Sequence, residues 1–177
     1  EEELIRLMIK YGTREVLIKE LGNEDKSTSV IELIIQEIEQ DDLRIEHPLL
    51  REIYGIFMDG IKDNTLLSTS YLKRIENQEI VAFVSDIESD DRELSHNWVS
   101  KYNIYTKSEA DDLYESVMNV IYHFKLIKIE QHIQKIQQEL KEVNPQGEDL
   151  ALLLSELMMY AKIKKEFSEK LGRIITR

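Results

Sequence analysis

The chain has 177 residues, a formal charge of −12, 42% hydrophobic residues and no cysteine. Such a length and apolar content suit one domain, or one domain with an appendage, built around a hydrophobic core. The missing cysteines exclude disulfides and thiolate metal sites, and the acidic balance argues against nucleic-acid binding, whose affinity comes chiefly from neutralising phosphates with Lys and Arg.

Only two prolines and six glycines interrupt the sequence, so long helices are permitted nearly everywhere, whereas an all-β chain would need turn residues about every 8 to 12 positions. No apolar run approaches the roughly 18 residues of a membrane span, and neither a span nor a signal peptide is expected within these residues. The opening Glu1-Glu2-Glu3 lacks a methionine and reads as a segment of a longer protein. The absence of cysteine agrees with a reducing compartment, the cytoplasm.

Glu2 to Tyr11 is expected to be a helix, with Leu4, Ile5, Met8 and Ile9 on one face and Gly12 as its stop. Glu15 to Leu21 is ambiguous, since Val16, Leu17 and Ile18 form too short a run for periodicity to decide. A second helix is expected from near Ser27 to Ser29, carrying Val30, Ile31, Ile34, Ile35 and Ile38 up to Asp41-Asp42. Pro48, tolerated in a first turn, opens a third helix holding Leu49, Leu50, Ile53, Ile56, Phe57 and Ile61. Ser70 to Ile75 and Gln78 to Ile87 read as two shorter helices. Asp90 to Tyr105 is polar and irregular, with Trp98, Val99 and Tyr102 as anchors that pin a loop to the core.

Thr106-Lys107-Ser108-Glu109 has the spacing of a capping box, so a long helix is expected to start there. With no Gly or Pro before Pro145 it could extend on the order of 50 Å at about 1.5 Å per residue. Its apolar face changes sides. Leu113, Val117, Val120, Ile121, Phe124 and Ile127 share one side, and Leu126, Ile129, Ile133, Ile136 and Leu140 lie roughly opposite. The switch falls at Leu126, Ile127, Lys128 and Ile129, which are expected to form a domain boundary or hinge between parts 1–127 and 128–177.

Beyond the switch the spacing is heptad-like. Ile129, Ile133, Ile136, Leu140 and Val143 recur by fours and threes, and after Asn144-Pro145-Gln146-Gly147 the series Leu150, Leu154, Leu157, Ala161, Lys164, Ser168, Leu171 and Ile175 does the same. A 3.5-residue repeat keeps one seam of each helix against its partner, and so short a connection forces the two antiparallel. The fold class is therefore all-α, a helical bundle joined by a long helix to a C-terminal antiparallel helical hairpin. The charge divides along the same line: from Lys125 onward there are 10 basic and 8 acidic residues, before it 13 and 27.

No catalytic constellation is legible. His47, His96, His123 and His132 are scattered, without partners at metal-ligand spacing. The pairs Asp41-Asp42, Asp90-Asp91 and Asp111-Asp112 fall at helix ends or in loops, and the glycines never cluster into a phosphate-binding loop. No catalytic residue, cofactor or metal is expected. What stands out is a second apolar strip on the last helix, roughly 100° from its heptad series: Leu152, Met159, Tyr160, Ile163, Phe167 and Ile174, with Lys170 beside it. With Lys162, Lys165, Glu166, Glu169 and Arg173 as a charged rim, the strip is a candidate partner-binding face. For Met158, Met159, Tyr160 and Phe167, interaction surface and intramolecular packing remain equally open.

In the order of its elements the chain resembles the C-terminal domain of bacterial DnaG-type DNA primases. Glu3-Leu4-Ile5-Arg6-Leu7-Met8-Ile9-Lys10-Tyr11-Gly12 looks like the start of that domain's first helix, Glu46-His47-Pro48-Leu49 resembles a segment found in one branch of the family, and the long helix, polar turn and final helix through Leu171 match its C-terminal hairpin. The resemblance implies a non-catalytic domain whose partner is the N-terminal collar domain of the replicative, DnaB-type helicase, with the hairpin docking on that collar and the bundle modulating helicase activity. Neither nucleic acid nor membrane is then an expected partner. Two other readings stay open: the collar domain of a replicative helicase, which shares the fold, and a helical adaptor unrelated to replication.

Overall fold

The α1 helix covers Glu2–Tyr11 and is buried on more than the expected face, since Leu7 joins Leu4, Ile5, Met8 and Ile9 in the core. The reason is its position: α1 packs against α2 (Val30–Gln40), α3 (Pro48–Lys62) and α5 (Gln78–Ser89), so neighbours surround it. Arg6, also buried, is satisfied by the Glu3 carboxylate, to which its Nε and Nη2 donate at 3.0 and 2.7 Å. The computed structural model describes residues 1–18, 26–63, 65, 67–89, 112–142 and 147–175.

The ambiguous run becomes a strand. β1 (Glu15–Ile18) pairs antiparallel with β2 (Lys26–Ser29), Glu15 opposite Ser29 and Val16 opposite Thr28. Val16 is buried and Leu17 is 56% exposed, the alternation of a two-sided strand. Ser27 and Thr28 thus belong to β2 rather than to the start of a helix, and Ser29 closes the strand while capping α2. Its hydroxyl accepts from the Glu32 N–H at 3.2 Å, and the Glu32 carboxylate accepts from the Ser29 N–H at 2.9 Å. This capping box satisfies donors that the first helical turn leaves open.

Pro48 occupies the first turn of α3, as its spacing requires, and the turn is closed from elsewhere: the Glu1 carboxylate accepts from the N–H groups of Glu46 and His47 at 2.9 and 3.0 Å. The fourth helix is a single turn, α4 (Thr69–Leu72), shorter than the expected 70–75. Leu72 alone anchors it fully. The expected capping box at Thr106 and the anchors Trp98, Val99 and Tyr102 lie outside the described residues.

The two last helices are α6 (Leu113–Glu142) and α7 (Glu148–Ile175), and they pack as a hairpin. In the connection between them Gly147 has φ +65°, a left-handed conformation that costs a residue with a Cβ about 1–2 kcal/mol. The chain divides into two compact units, Glu1–Met118 and Asn119–Arg177. That division precedes the expected one at 127/128, because α7 is long enough to reach back along α6 as far as Tyr122.

Candidate interaction surface

The hairpin register is fixed by contacts whose α6 partners descend as the α7 residues ascend. Tyr160 lies on His132 with ring centroids 4.7 Å apart, Lys164 Nζ bonds Glu130 Oε1 at 2.8 Å, and Phe167 meets Tyr122 at 5.6 Å between centroids. Lys170 Nζ then sits over both the Tyr122 and Phe167 rings, 5.3 and 5.4 Å from their centroids. His132 Nε2 is also 3.8 Å from Glu156 Oε1. On the α6 side Ile136 is buried and Ile129, Ile133 and Leu140 are half-buried, as the heptad spacing predicts.

On α7 the seam differs from the expected series. Along the seam Leu150, Leu153, Leu157, Tyr160, Lys164 and Phe167 are half-buried and Leu171 is buried, with Glu156 and Ile163 half-buried beside them, whereas Leu154, Ala161 and Ser168 are exposed. Both series alternate threes and fours and share Leu150, Leu157, Lys164 and Leu171; they part at the second position of each heptad. One alternation buries Tyr160 and Phe167, the other Ala161 and Ser168, and two rings remove far more apolar area from water. Lys164, half-buried in the seam, keeps its charge partnered because its ammonium reaches Glu130, as a long aliphatic stem permits.

The residues of the predicted partner-binding strip are therefore separated. Tyr160, Ile163 and Phe167 are half-buried, and the rings of Tyr160 and Phe167 lie against α6, so of the two alternatives open for them the contacts are those of intramolecular packing. Lys170 is exposed over the rings just described. The side chain of Ile174 lies outside the described residues. Leu152 and Met159 remain open at 69% and 51% exposure. With them are two residues absent from the strip, Met158 at 75% and Leu154 at 43%. The signal for these was an outer arc of α7, Ala151 to Met159, in which Glu156 is the one charged residue; Leu154 was hidden by its fit to the other heptad series.

The predicted hinge residues Leu126, Ile127, Lys128 and Ile129 lie inside α6, which runs without a break from Leu113 to Glu142. Ile127 is 51% exposed, whereas Phe124 and Lys125 before it are buried. Lys128 Nζ turns back over the Phe124 ring, 5.4 Å from its centroid.

In the bundle, Glu39, Leu43, Arg44, Ile45, Glu46, Arg51 and Tyr54 line a cleft of about 290 Å³. Its two arginines and two glutamates balance. The Tyr54 hydroxyl donates to Glu39 at 3.4 Å, and burial, reinforced by the Glu39 charge, raises its pKa well above the usual tyrosine value, so it stays protonated. Tyr114 is shifted upward as well, by burial and by Glu37. Among the described residues no three His, Asp or Glu side chains gather where they could hold a metal ion, and no helix is long and apolar enough to cross a membrane.

These features describe a helical domain with a projecting apolar face on its last helix. The profile of the family described as "Domain of unknown function (DUF8430)" matches residues 1–175, and the chain belongs to that family. No curated protein and no solved structure matches the chain.

Proposed function

We propose that this chain is the helicase-binding domain of a bacterial DnaG-type primase, acting in the cytoplasm as a non-catalytic adaptor that couples primer synthesis to the replicative helicase. The observation that carries the reading is the apolar outer face of α7, left open by the hairpin's own seam. A face of this kind suits helix-on-helix docking. The order of bundle, long helix and hairpin agrees with the resemblance in Glu3 to Gly12 and Glu46 to Leu49, which supplies the identity of the partner. Recruitment by such a domain raises the local concentration of a tethered polymerase module at the fork. The formal charge of −12 supports a protein partner over DNA.

The test is a titration of the purified chain against the cognate hexameric replicative helicase, followed by sedimentation. The expected result is a complex that requires the helicase N-terminal collar. No complex with the intact hexamer, or assembly of the chain alone into rings, would overturn the reading, the latter in favour of a helicase collar domain.

A further inference from the structure

The chain has five methionines and no cysteine, so every sulfur in it is a thioether. They differ widely in access. Met8 in α1 is 1% exposed and Met118 in α6 is 8%, Met58 in α3 is half-buried, and Met159 and Met158 in α7 stand at 51% and 75%. The two open ones are adjacent in sequence and bracketed by Leu157 and Tyr160, both half-buried along the hairpin seam. At about 100° per residue Leu157 and Tyr160 share the inner side of α7, and the methionines between them take the outer side. Ser155 and Lys162, one turn before and one turn after Met158, are exposed as well.

A hydroperoxide oxidises a thioether by two electrons. The sulfur lone pair attacks one peroxide oxygen, the S–O bond forms as the O–O bond breaks, and the proton of the transferred oxygen passes through water to the departing hydroxide. With hydrogen peroxide the products are methionine sulfoxide and water. Both the oxidant and the water that carries the proton must reach the sulfur, so exposure orders the five sites. The sulfoxide is polar where the thioether was apolar. In a core that change disrupts packing, but Met158 and Met159 lie outside the seam. They also form half of the exposed apolar cluster of α7, with Leu152 and Leu154.

We propose that Met158 and Met159 are a reversible oxidation site, at which hydroperoxides turn the apolar outer face of α7 polar while the hairpin stays folded. Reversal falls to methionine sulfoxide reductases, one for each sulfoxide epimer. There the oxygen leaves as water, the thioether is restored, and a dithiol is oxidised to a disulfide. No partner takes part in this chemistry, so the helicase reading stands or falls separately.

The experiment treats the full chain with hydrogen peroxide and follows each methionine by peptide mass spectrometry, in buffer and in denaturant. In buffer Met158 should react first and Met159 next, both at least about tenfold faster than Met8 and Met118, whose sulfurs are reached only when the fold opens. In denaturant the five rates should converge. The chain oxidised at both sites should keep its helical circular dichroism and elute earlier from a hydrophobic-interaction column, and the two reductases with dithiothreitol should restore the original elution. M158L/M159L should fold as wild type and keep its elution position through the same treatment. Oxidation of Met8, Met58 or Met118 as fast as Met158 in buffer would overturn the proposal. So would loss of helical signal once both sulfoxides have formed, or an elution shift undiminished in M158L/M159L.

Discussion

Tyr160 and His132 stack across the hairpin, their ring planes tilted by 49°. Two turns further along α7, Phe167 makes the equivalent contact with Tyr122 at an interplanar angle of 53°. These two pairs make α7's rings part of the seam. Aromatic pairs contribute about 0.5–1.5 kcal/mol beyond the area they bury. Phe167→Ala and Tyr160→Ala should each destabilise the hairpin by roughly 1–3 kcal/mol, read as earlier loss of helical signal in urea, while Met158→Ala leaves stability nearly constant. Equal unfolding midpoints for Phe167→Ala and wild type would show that the ring contacts add nothing.

The capping box at Ser29 predicts a loss confined to the bundle. Ser29→Ala removes the acceptor for the Glu32 N–H and leaves the Glu32 carboxylate with fewer donors. The cost should be about 1 kcal/mol, or roughly 4 °C in melting temperature for a unit of this size. Thr28→Ala, whose hydroxyl donates to the same carboxylate at 3.1 Å from an exposed site, should cost a few tenths of that. The order of the two effects is the check, and a larger loss in Thr28→Ala would contradict it.

Where apolar spacing ran unbroken, the sequence was legible: α1, α2 and α3 lie where Leu4, Ile31 and Pro48 indicate them. The β pair was not, because four residues give only two periods, and Ser27 to Ser29 serve a strand and a cap at once. The α7 seam shows another limit. Position 164 belongs to both possible heptad series, so the choice rested on Tyr160 against Ala161 and on Phe167 against Ser168. Counting apolar letters favours neither series strongly, whereas weighing ring area decides it. Once the rings turn inward, Leu154 must turn outward, and the open face moves to the first half of the helix.

Tyr54 predicts a pH dependence. Its folded-state pKa is raised, first by burial and then by the Glu39 charge and hydrogen bond, while in the unfolded chain it titrates near the usual value of about 10. Below that value both states are protonated and its contribution is fully present. Above it the unfolded state loses a proton that the folded state keeps, so stability falls as pH rises. Tyr54→Phe should lose about 1 kcal/mol at neutral pH with the hydrogen bond, yet decline less steeply than wild type above about pH 10. Parallel declines in chemical-denaturation curves collected across that range would show that Tyr54 ionises as freely folded as unfolded.

Two glycines of α3 predict effects of opposite sign from the same substitution. A Cβ on Gly60 would stand 2.7 Å from the Leu67 side chain and 2.9 Å from the Thr65 carbonyl oxygen, where the chain folds back over the helix end. Leu67 could yield, but the Thr65 backbone is tied by its N–H to the Gly60 carbonyl at 2.7 Å. At Gly55 a Cβ would meet nothing within 4 Å. Alanine in a helix interior is favoured over glycine by up to about 1 kcal/mol. Gly55→Ala should therefore raise bundle stability by about 0.5–1 kcal/mol, whereas at Gly60 the clash should outweigh that gain and lower stability by about 1–3 kcal/mol. Melting both variants under one condition checks the sign of each. A stabilised Gly60→Ala would mean that Thr65 and Leu67 move away from α3 without loss, and that their close approach contributes nothing to the fold.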